Sequence, residues 1–274
     1  MNTYTLYQID AFTSELFKGN PAAIVPLPAF LPDALMQNIA AENNLSETAF
    51  IVQRSDNHYD LRWFTPTSEI EFCGHATIAS AHALIHEMGV PSPIVFHTQI
   101  GELKVSTSKA GYTLCAPNYP CVEIPISAEI TAAFGINICG AYRAHNNLYI
   151  ELETPKQVHE FTPDMPSITK LLDTYSDETN FGVSIMAQGS HDRQTHFDFV
   201  SRHFCPLHGI PEDPVTGSVH SALAPFWAQR LGKTKLLACQ CSPRSGVLHL
   251  DVFADEVQIT GHAITYMQGQ INIG

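Results

Sequence analysis

Chemically able side chains concentrate at two points of the chain, each just ahead of a long apolar run. The first is Cys73-Gly74-His75-Ala76-Thr77. The second is Asp213-Pro214-Val215-Thr216-Gly217-Ser218-Val219-His220. A glycine at a helix entry lets a ligand approach the backbone closely. The unpaired N–H groups and partial positive charge of a helix start then suit a small anion such as a carboxylate. Each residue alone also fits a plainer role: Thr216 or Ser218 as a helix cap, Asp213-Pro214 as a turn opener, His75 as a satisfied polar side chain. Two matched starts together favour a ligand site. A third element is Asn43-Asn44-Leu45-Ser46-Glu47-Thr48-Ala49-Phe50, where Glu47 precedes an apolar segment. A carboxylate held partly buried there would exchange protons near neutral pH, whereas a solvated loop acid would not.

The elements that must position these residues occur twice. Arg62-Trp63-Phe64-Thr65-Pro66 reads R-x-F-x-P, and Arg202-His203-Phe204-Cys205-Pro206 repeats it 140 positions later. An Ala-rich apolar run follows each copy, from Gly74 to Gly89 and from Gly217 to Gly232, 15 positions in both cases. Gly101-Glu102-Leu103-Lys104-Val105 resembles Gly246-Val247-Leu248-His249-Leu250. Several coincidences in one order indicate a tandem duplication. The spacing predicts a buried helix over Gly74–Met88 and another over Gly217–Leu231, each stopped by glycine. Pro225 predicts a kink or local adjustment in the second.

Surface helices are expected over Pro32–Asn43 and Ser167–Ser176. In the first half, strands are expected over Thr3–Ile9, Ala22–Val25, Thr48–Val52, Tyr59–Phe64, Ile94–Thr98, Glu102–Thr107 and Gly111–Ala116. In the second half they are expected over Tyr142–Leu152, Val183–Ala187, Phe197–Val200, Val247–Phe253 and Glu256–Thr260. The fold class is α+β: two pseudo-symmetric lobes, each a curved, mostly antiparallel sheet wrapped around one central helix. The lobes are expected at 1–118 and 119–274, with Pro117-Asn118-Tyr119-Pro120 as linker and 263–274 a candidate extra strand of the first. If the lobes face each other about a pseudo-twofold axis, both helix starts point into one cleft.

Composition bounds the partners. Of 274 residues, 27 are Asp or Glu and only 14 Lys or Arg, a formal charge of −13. A non-specific nucleic-acid binder needs clustered Lys and Arg, so that class is excluded. Histidine, with 14 copies, is as common as Lys and Arg combined. The chain opens without a basic region and a long apolar core, and its apolar stretches are broken by charge or proline. Seven cysteines without a CxxC pair fit a reduced, cytoplasmic protein. No HExxH, P-loop or GxGxxG stands in the chain, so metal-dependent hydrolysis and nucleotide binding lack support.

Five ordered motifs resemble those of the PhzF-like family, the phenazine-biosynthesis isomerase homologues. They are Ile9-Asp10-Ala11-Phe12-Thr13, Phe17-Lys18-Gly19-Asn20-Pro21-Ala22-Ala23, Leu45-Ser46-Glu47-Thr48-Ala49-Phe50, and the two helix starts quoted above. The resemblance runs nearly end to end. It implies the diaminopimelate-epimerase-like fold and an isomerase acting without metal or organic cofactor, similar to trans-2,3-dihydro-3-hydroxyanthranilate isomerase. It places Glu47 as the single general acid/base, His75 and Asp213 beside it, and Ser218, Thr216 and Cys73 at substrate-contacting positions. Gly74 and Gly217 match the backbone positions that bind a substrate carboxylate, and a homodimer is the family expectation. Asn20, Tyr7 and Asp10 either line the cleft or serve the fold.

Two alternatives stand beside this reading. An amino-acid epimerase of the same fold needs a cysteine before glycine in both halves, and Thr216 breaks that pattern, because its hydroxyl is too weak an acid to replace a thiolate. The other alternative is a non-catalytic small-molecule binder that keeps the fold.

Overall fold

The structure is a computed structural model, and it describes residues 2–175, 182–189 and 196–274. It divides into two compact units, Met1–Cys115 with Gln258–Gly274, and Ala116–Val257.

In the first unit the strand Asn2–Ala11 lies between Ala263–Ile273 and Asn20–Leu27, antiparallel to both. Asn20–Leu27 runs parallel to Glu47–Ser55, which pairs antiparallel with His58–Phe64. His58–Phe64 then holds Glu69–Ile70 antiparallel and Ile94–Thr98 parallel. Gly101–Ser108 and Gly111–Pro117 continue the sheet antiparallel. The helix Gly74–His82 has every residue buried. Strands Asn2–Ala11, Asn20–Leu27, Glu47–Ser55, Gly101–Ser108 and Ala263–Ile273 all pack on it. Small residues such as Ala76, Ala79 and Ala81, each fully buried, let the sheet close around it. The helix Asp33–Asn43 covers another apolar cluster, burying Met36, Ile39 and Ala40 with Leu6, Val25, Phe50 and Phe64.

The second unit repeats these pairings in the same order. Gly140–Ala144 is antiparallel to Asn147–Glu151, which is parallel to Gly182–Gln188, which is antiparallel to Phe199–Cys205. Phe199–Cys205 holds Ile210–Asp213 antiparallel and Lys235–Gln240 parallel. Gly246–Val252 follows antiparallel. The helix Gly217–Leu231 takes the place of Gly74–His82 between corresponding strands and packs on Lys235–Gln240 and Gly246–Val252. Helices Pro155–Glu160 and Met165–Tyr175 occupy the connection that Asp33–Asn43 fills in the first unit. A duplication is the simplest source of two such matching series.

The R-x-F-x-P repeats lie on the corresponding strands and do the same structural work. Arg62 forks onto Glu69 with two bonds of 2.7 Å, and its guanidinium lies 5.2 Å from the Phe64 ring centroid. Arg202 forks onto Glu212 at 2.7 and 2.8 Å and lies 5.3 Å from the Phe204 ring. Each arginine ties its strand to the short strand that leads into the central helix, combining bidentate pairing with a cation–π contact.

Several local expectations are corrected. Tyr142–Leu152 is not one strand but a hairpin, Gly140–Ala144 and Asn147–Glu151, turning at His145 with φ 47°. The helix Gly217–Leu231 runs through Pro225 without interruption. The adjustment falls instead in the proline-free first copy, where the α-helix gives way to a π-turn over Ala83–Glu87. The expected Ser167–Ser176 helix begins at Met165, and Ser176 lies outside the described residues. Gly232 stops its helix in the left-handed region at φ 66°, as its position requires.

Candidate functional site

Glu47, Cys73 and His75 come together in the first unit although three elements supply their surroundings. Glu47 opens the strand Glu47–Ser55 and sits opposite Ala22. Cys73 is the N-cap of the central helix and His75 its second residue. Asn20 opens the neighbouring strand. Gly19 makes that strand start possible: its φ is +66°, and a Cβ there would strike the Ala11 carbonyl oxygen.

The geometry defines a carboxylate–imidazole pair. His75 Nε2 lies 3.0 Å from Glu47 Oε2, yet the two are off line for a hydrogen bond, and neither atom has another aligned partner among the described residues. His75 is 4% exposed and Glu47 8%. Buried polar atoms without a partner are costly, and here they face each other in one place. On the other side of the ring, Asn20 Nδ2 lies 3.2 Å and Cys73 Sγ 3.4 Å from His75 Nδ1. With the Asn20 amide as donor, Nδ1 is the acceptor and the ring proton sits on Nε2, aimed toward Glu47.

Burial lowers the His75 pKa, but the Cys73 and Glu47 side chains beside it outweigh that effect and hold it well above the usual imidazole value. Burial, with the Glu47 charge next, pushes the Cys73 thiol up to about 11. Cys73 is therefore a neutral thiol near pH 7. Glu47, Cys73 and His75 each offer a ligand atom, all within 4.8 Å of one another, so this set is also one that a cation such as zinc would accept.

The corresponding helix start in the second unit is wired differently. The Thr216 hydroxyl, at the N-cap, makes a short bond to Asp213 Oδ2 and does not cap the helix. Gln240 locks this arrangement: its Oε1 accepts the Thr216 N–H at 2.8 Å, and its Nε2 donates to the Asp213 carbonyl at 2.8 Å. Ser242 donates to the Pro214 carbonyl at 2.8 Å. Asp213 and Gly217 are buried and Ser218 is exposed. His220, one turn in, is fully buried with Nδ1 2.8 Å from the Thr216 carbonyl. Its Nε2 has no hydrogen-bond partner among the described residues, and burial lowers its pKa to about 4.

Asn20 stood undecided in the sequence and proves to be in contact with His75. Gln240 was missed altogether. Its strand, Lys235–Gln240, reads as Lys-Leu-Leu-Ala-Cys-Gln and lacks the alternation that marks a strand. The signal that locates it is the repeat, since the parallel partner of Phe199–Cys205 must have a counterpart to Ile94–Thr98.

The two matching series of strands and central helices make a duplicated α+β fold, with Glu47 buried against His75 at a glycine-led helix start in the first unit. A predicted epimerase from Pseudomonas aeruginosa shares the fold, with a TM-score of 0.73 at 18% identity, covering 99% of this chain and all of that one. The phenazine biosynthesis-like family model matches residues 9–269. An uncharacterized isomerase of Pseudomonas aeruginosa is 42% identical over 270 residues, 98% of this chain and 99% of its own length. The crystal structure of a PhzF-family phenazine biosynthesis protein from Enterococcus faecalis matches with a TM-score of 0.91 at 41% identity, over 99% of this chain and all of that one. The chain belongs to the phenazine biosynthesis-like, PhzF family, and it is an enzyme of the isomerase class. Among the described residues no helix is long and apolar enough to cross a membrane.

Proposed function

We propose that the chain is a cofactor-independent isomerase that moves a proton between two carbons of a small cyclic carboxylate, with Glu47 as its general acid/base. The observation that carries the reading is the buried Glu47 carboxylate, whose Oε2 lies 3.0 Å from His75 Nε2 and has no aligned hydrogen bond among the described residues. Glu47 takes a proton from a ring carbon, and the electron pair of that C–H bond moves into the adjoining π-system. The same carboxyl then returns the proton at another carbon. His75 stabilises, through its Nε2–H, the negative charge that develops between the two steps. The N–H groups at Gly74, with the Cys73 thiol beside them, suit the substrate carboxylate. Asp213, Thr216, Gly217 and Ser218 are the matching positions of the second unit. The protein is expected to work as a homodimer in the cytoplasm, without nucleic-acid or membrane partners.

Two features disfavour the thiol-based epimerase. Cys73 is a neutral thiol at pH 7, with its pKa at about 11, and the second helix start carries Thr216, engaged with Asp213. A non-catalytic binder has no use for a carboxylate buried against an imidazole. The test is deuterium incorporation from heavy water into trans-2,3-dihydro-3-hydroxyanthranilate and related cyclic carboxylates. Wild type should exchange a ring proton. Glu47→Gln should slow that exchange by roughly 10²–10⁴-fold, the usual contribution of a positioned acid/base. Equal rates in the two proteins would remove Glu47 from the mechanism.

A further inference from the structure

The turn that ends the first central helix carries a cluster the acid/base centre does not use. In an α-helix, residues four apart share a face, while a residue five places on is rotated about 140° from the first. The π-turn over Ala83–Glu87, closed by Met88 N–H to the Ala83 carbonyl at 3.0 Å, brings the fifth position back toward the face of the first. His82, His86 and Glu87 therefore converge. The two imidazoles stack with centroids 4.9 Å apart, and His82 Nε2 lies 3.9 Å from Glu87 Oε1. One ligand atom from each residue lies within 4.8 Å of the other two. His82 and His86 line a cavity of about 570 Å³ together with Tyr112, His262 and Thr265, all within the first unit.

We propose that His82, His86 and Glu87 form a binding site for a first-row divalent cation of the zinc or nickel type, with its open coordination position facing this cavity. Two imidazoles and a carboxylate are a ligand set these ions favour. Nitrogen and oxygen ligands sit at about 2.0–2.2 Å from such an ion, so a pair on it lies up to about 4.2 Å apart. The 3.9 Å between His82 Nε2 and Glu87 Oε1 falls inside that span.

The surroundings also prepare His82 as a ligand. It is 5% exposed, and both ring nitrogens have hydroxyl partners that hold its orientation. In the metal-free arrangement Thr265 donates its hydroxyl proton to Glu87 Oε1 at 2.5 Å. Its oxygen, 3.0 Å from His82 Nε2, then accepts from the ring. Tyr112 Oη, 2.9 Å from Nδ1, completes the chain. Metal binding at Nε2 shifts the ring proton to Nδ1, where the Tyr112 oxygen accepts it and fixes the tautomer. That is the outer partner a metal-bound histidine ordinarily has. Thr265 gives up both bonds and turns into the cavity.

The test uses full-length protein freed of any histidine tag and stripped with chelator, titrated with NiCl₂ or ZnCl₂ by calorimetry. Binding of one equivalent is expected, with a rise in Tm as metal is added. His86→Ala and Glu87→Gln, at partly or fully exposed positions, should each weaken binding tenfold or more, and His97→Ala should leave it unchanged. Three results would overturn the site: no binding below millimolar metal, binding that survives both substitutions, or binding abolished by Cys73→Ser, which would place the ion at Glu47, Cys73 and His75.

Discussion

Asn20 decides which nitrogen of the neutral His75 ring carries the proton, and this gives the proposed acid/base centre a tunable part. Its amide nitrogen, 3.2 Å from Nδ1, opposes a second ring proton, while the Glu47 charge promotes one. Replacing the amide by a carboxylate removes that opposition. Asn20→Asp should raise the His75 pKa further by adding a charge at Nδ1, and Asn20→Leu, which removes the opposing donor without adding a charge, should shift it less. Following the His75 ring resonances through a pH titration by NMR would show it. Identical titration in both variants would mean that Asn20 only fills space. His220 makes the opposite contribution. Its pKa falls to about 4 in the fold against about 6.5 unfolded. Above 6.5 it is neutral in both states and costs nothing; as the pH falls toward 4 the unfolded chain gains a proton the folded one refuses. Stability is lost across that window, by roughly 2 kcal/mol at pH 5 from this residue alone. Urea unfolding at pH 7 and pH 5 should show that loss in wild type, with His220→Gln losing correspondingly less.

At the scale of elements, one motif on two strands should yield two different energies. Arg202 is 8% exposed, Glu212 16%, and Arg202 Nη1 also donates to the Phe161 carbonyl at 2.6 Å. Arg62 and Glu69 are 20% and 26% exposed. Arg202→Met leaves a carboxylate and a carbonyl unpaired in the interior and should cost about 3–5 kcal/mol. Arg62→Met breaks a better solvated pair and should cost about 1 kcal/mol. Denaturant midpoints of the two variants test the ranking, and equal losses would mean that the burial difference is immaterial. The same contrast shows what a sequence exposes and what it hides. Both central helices, their glycine stops and the R-x-F-x-P pairs are legible because periodicity and left-handed glycines act locally. The hairpin at His145 has no glycine or proline to betray it. The strand Lys235–Gln240, with burial on both faces toward its end, loses its alternation. The π-turn at Ala83–Glu87 has no residue signature, so the His82–His86–Glu87 cluster is invisible until the backbone is seen. Glu47, Cys73 and His75 were legible as candidates from motif resemblance. Their contact is not, because it depends on the register that sets Glu47 opposite Ala22.

At the scale of the whole chain, the duplication and the path of the backbone are out of step. The second unit is one continuous segment, Ala116–Val257, whereas the first is assembled from Met1–Cys115 and Gln258–Gly274. The late segment is not decoration: Ala263–Ile273 pairs along the full length of Asn2–Ala11, from Asn2 opposite Ile273 to Ala11 opposite Ala263, and packs on the central helix. Without it Asn2–Ala11 becomes a long edge strand with unsatisfied backbone groups, a template for association between chains. Its pairing also closes a loop of the whole sequence, an entropic cost that a shorter connection avoids. Because the two strands run antiparallel with their ends adjacent, a short Asn/Gly turn can join them as a hairpin. A chain reordered as 258–274, turn, 1–115 therefore holds the strands of the first unit in one piece, with Gly111–Pro117 short of its last two residues. Expressed alone, it should be monodisperse and unfold in a single cooperative transition, while 1–115 alone should associate and show none. Light scattering and urea unfolding followed by circular dichroism distinguish the two. If the reordered unit also fails to unfold cooperatively, the first unit depends on more than its own strands, and the two compact units are not independent folding units.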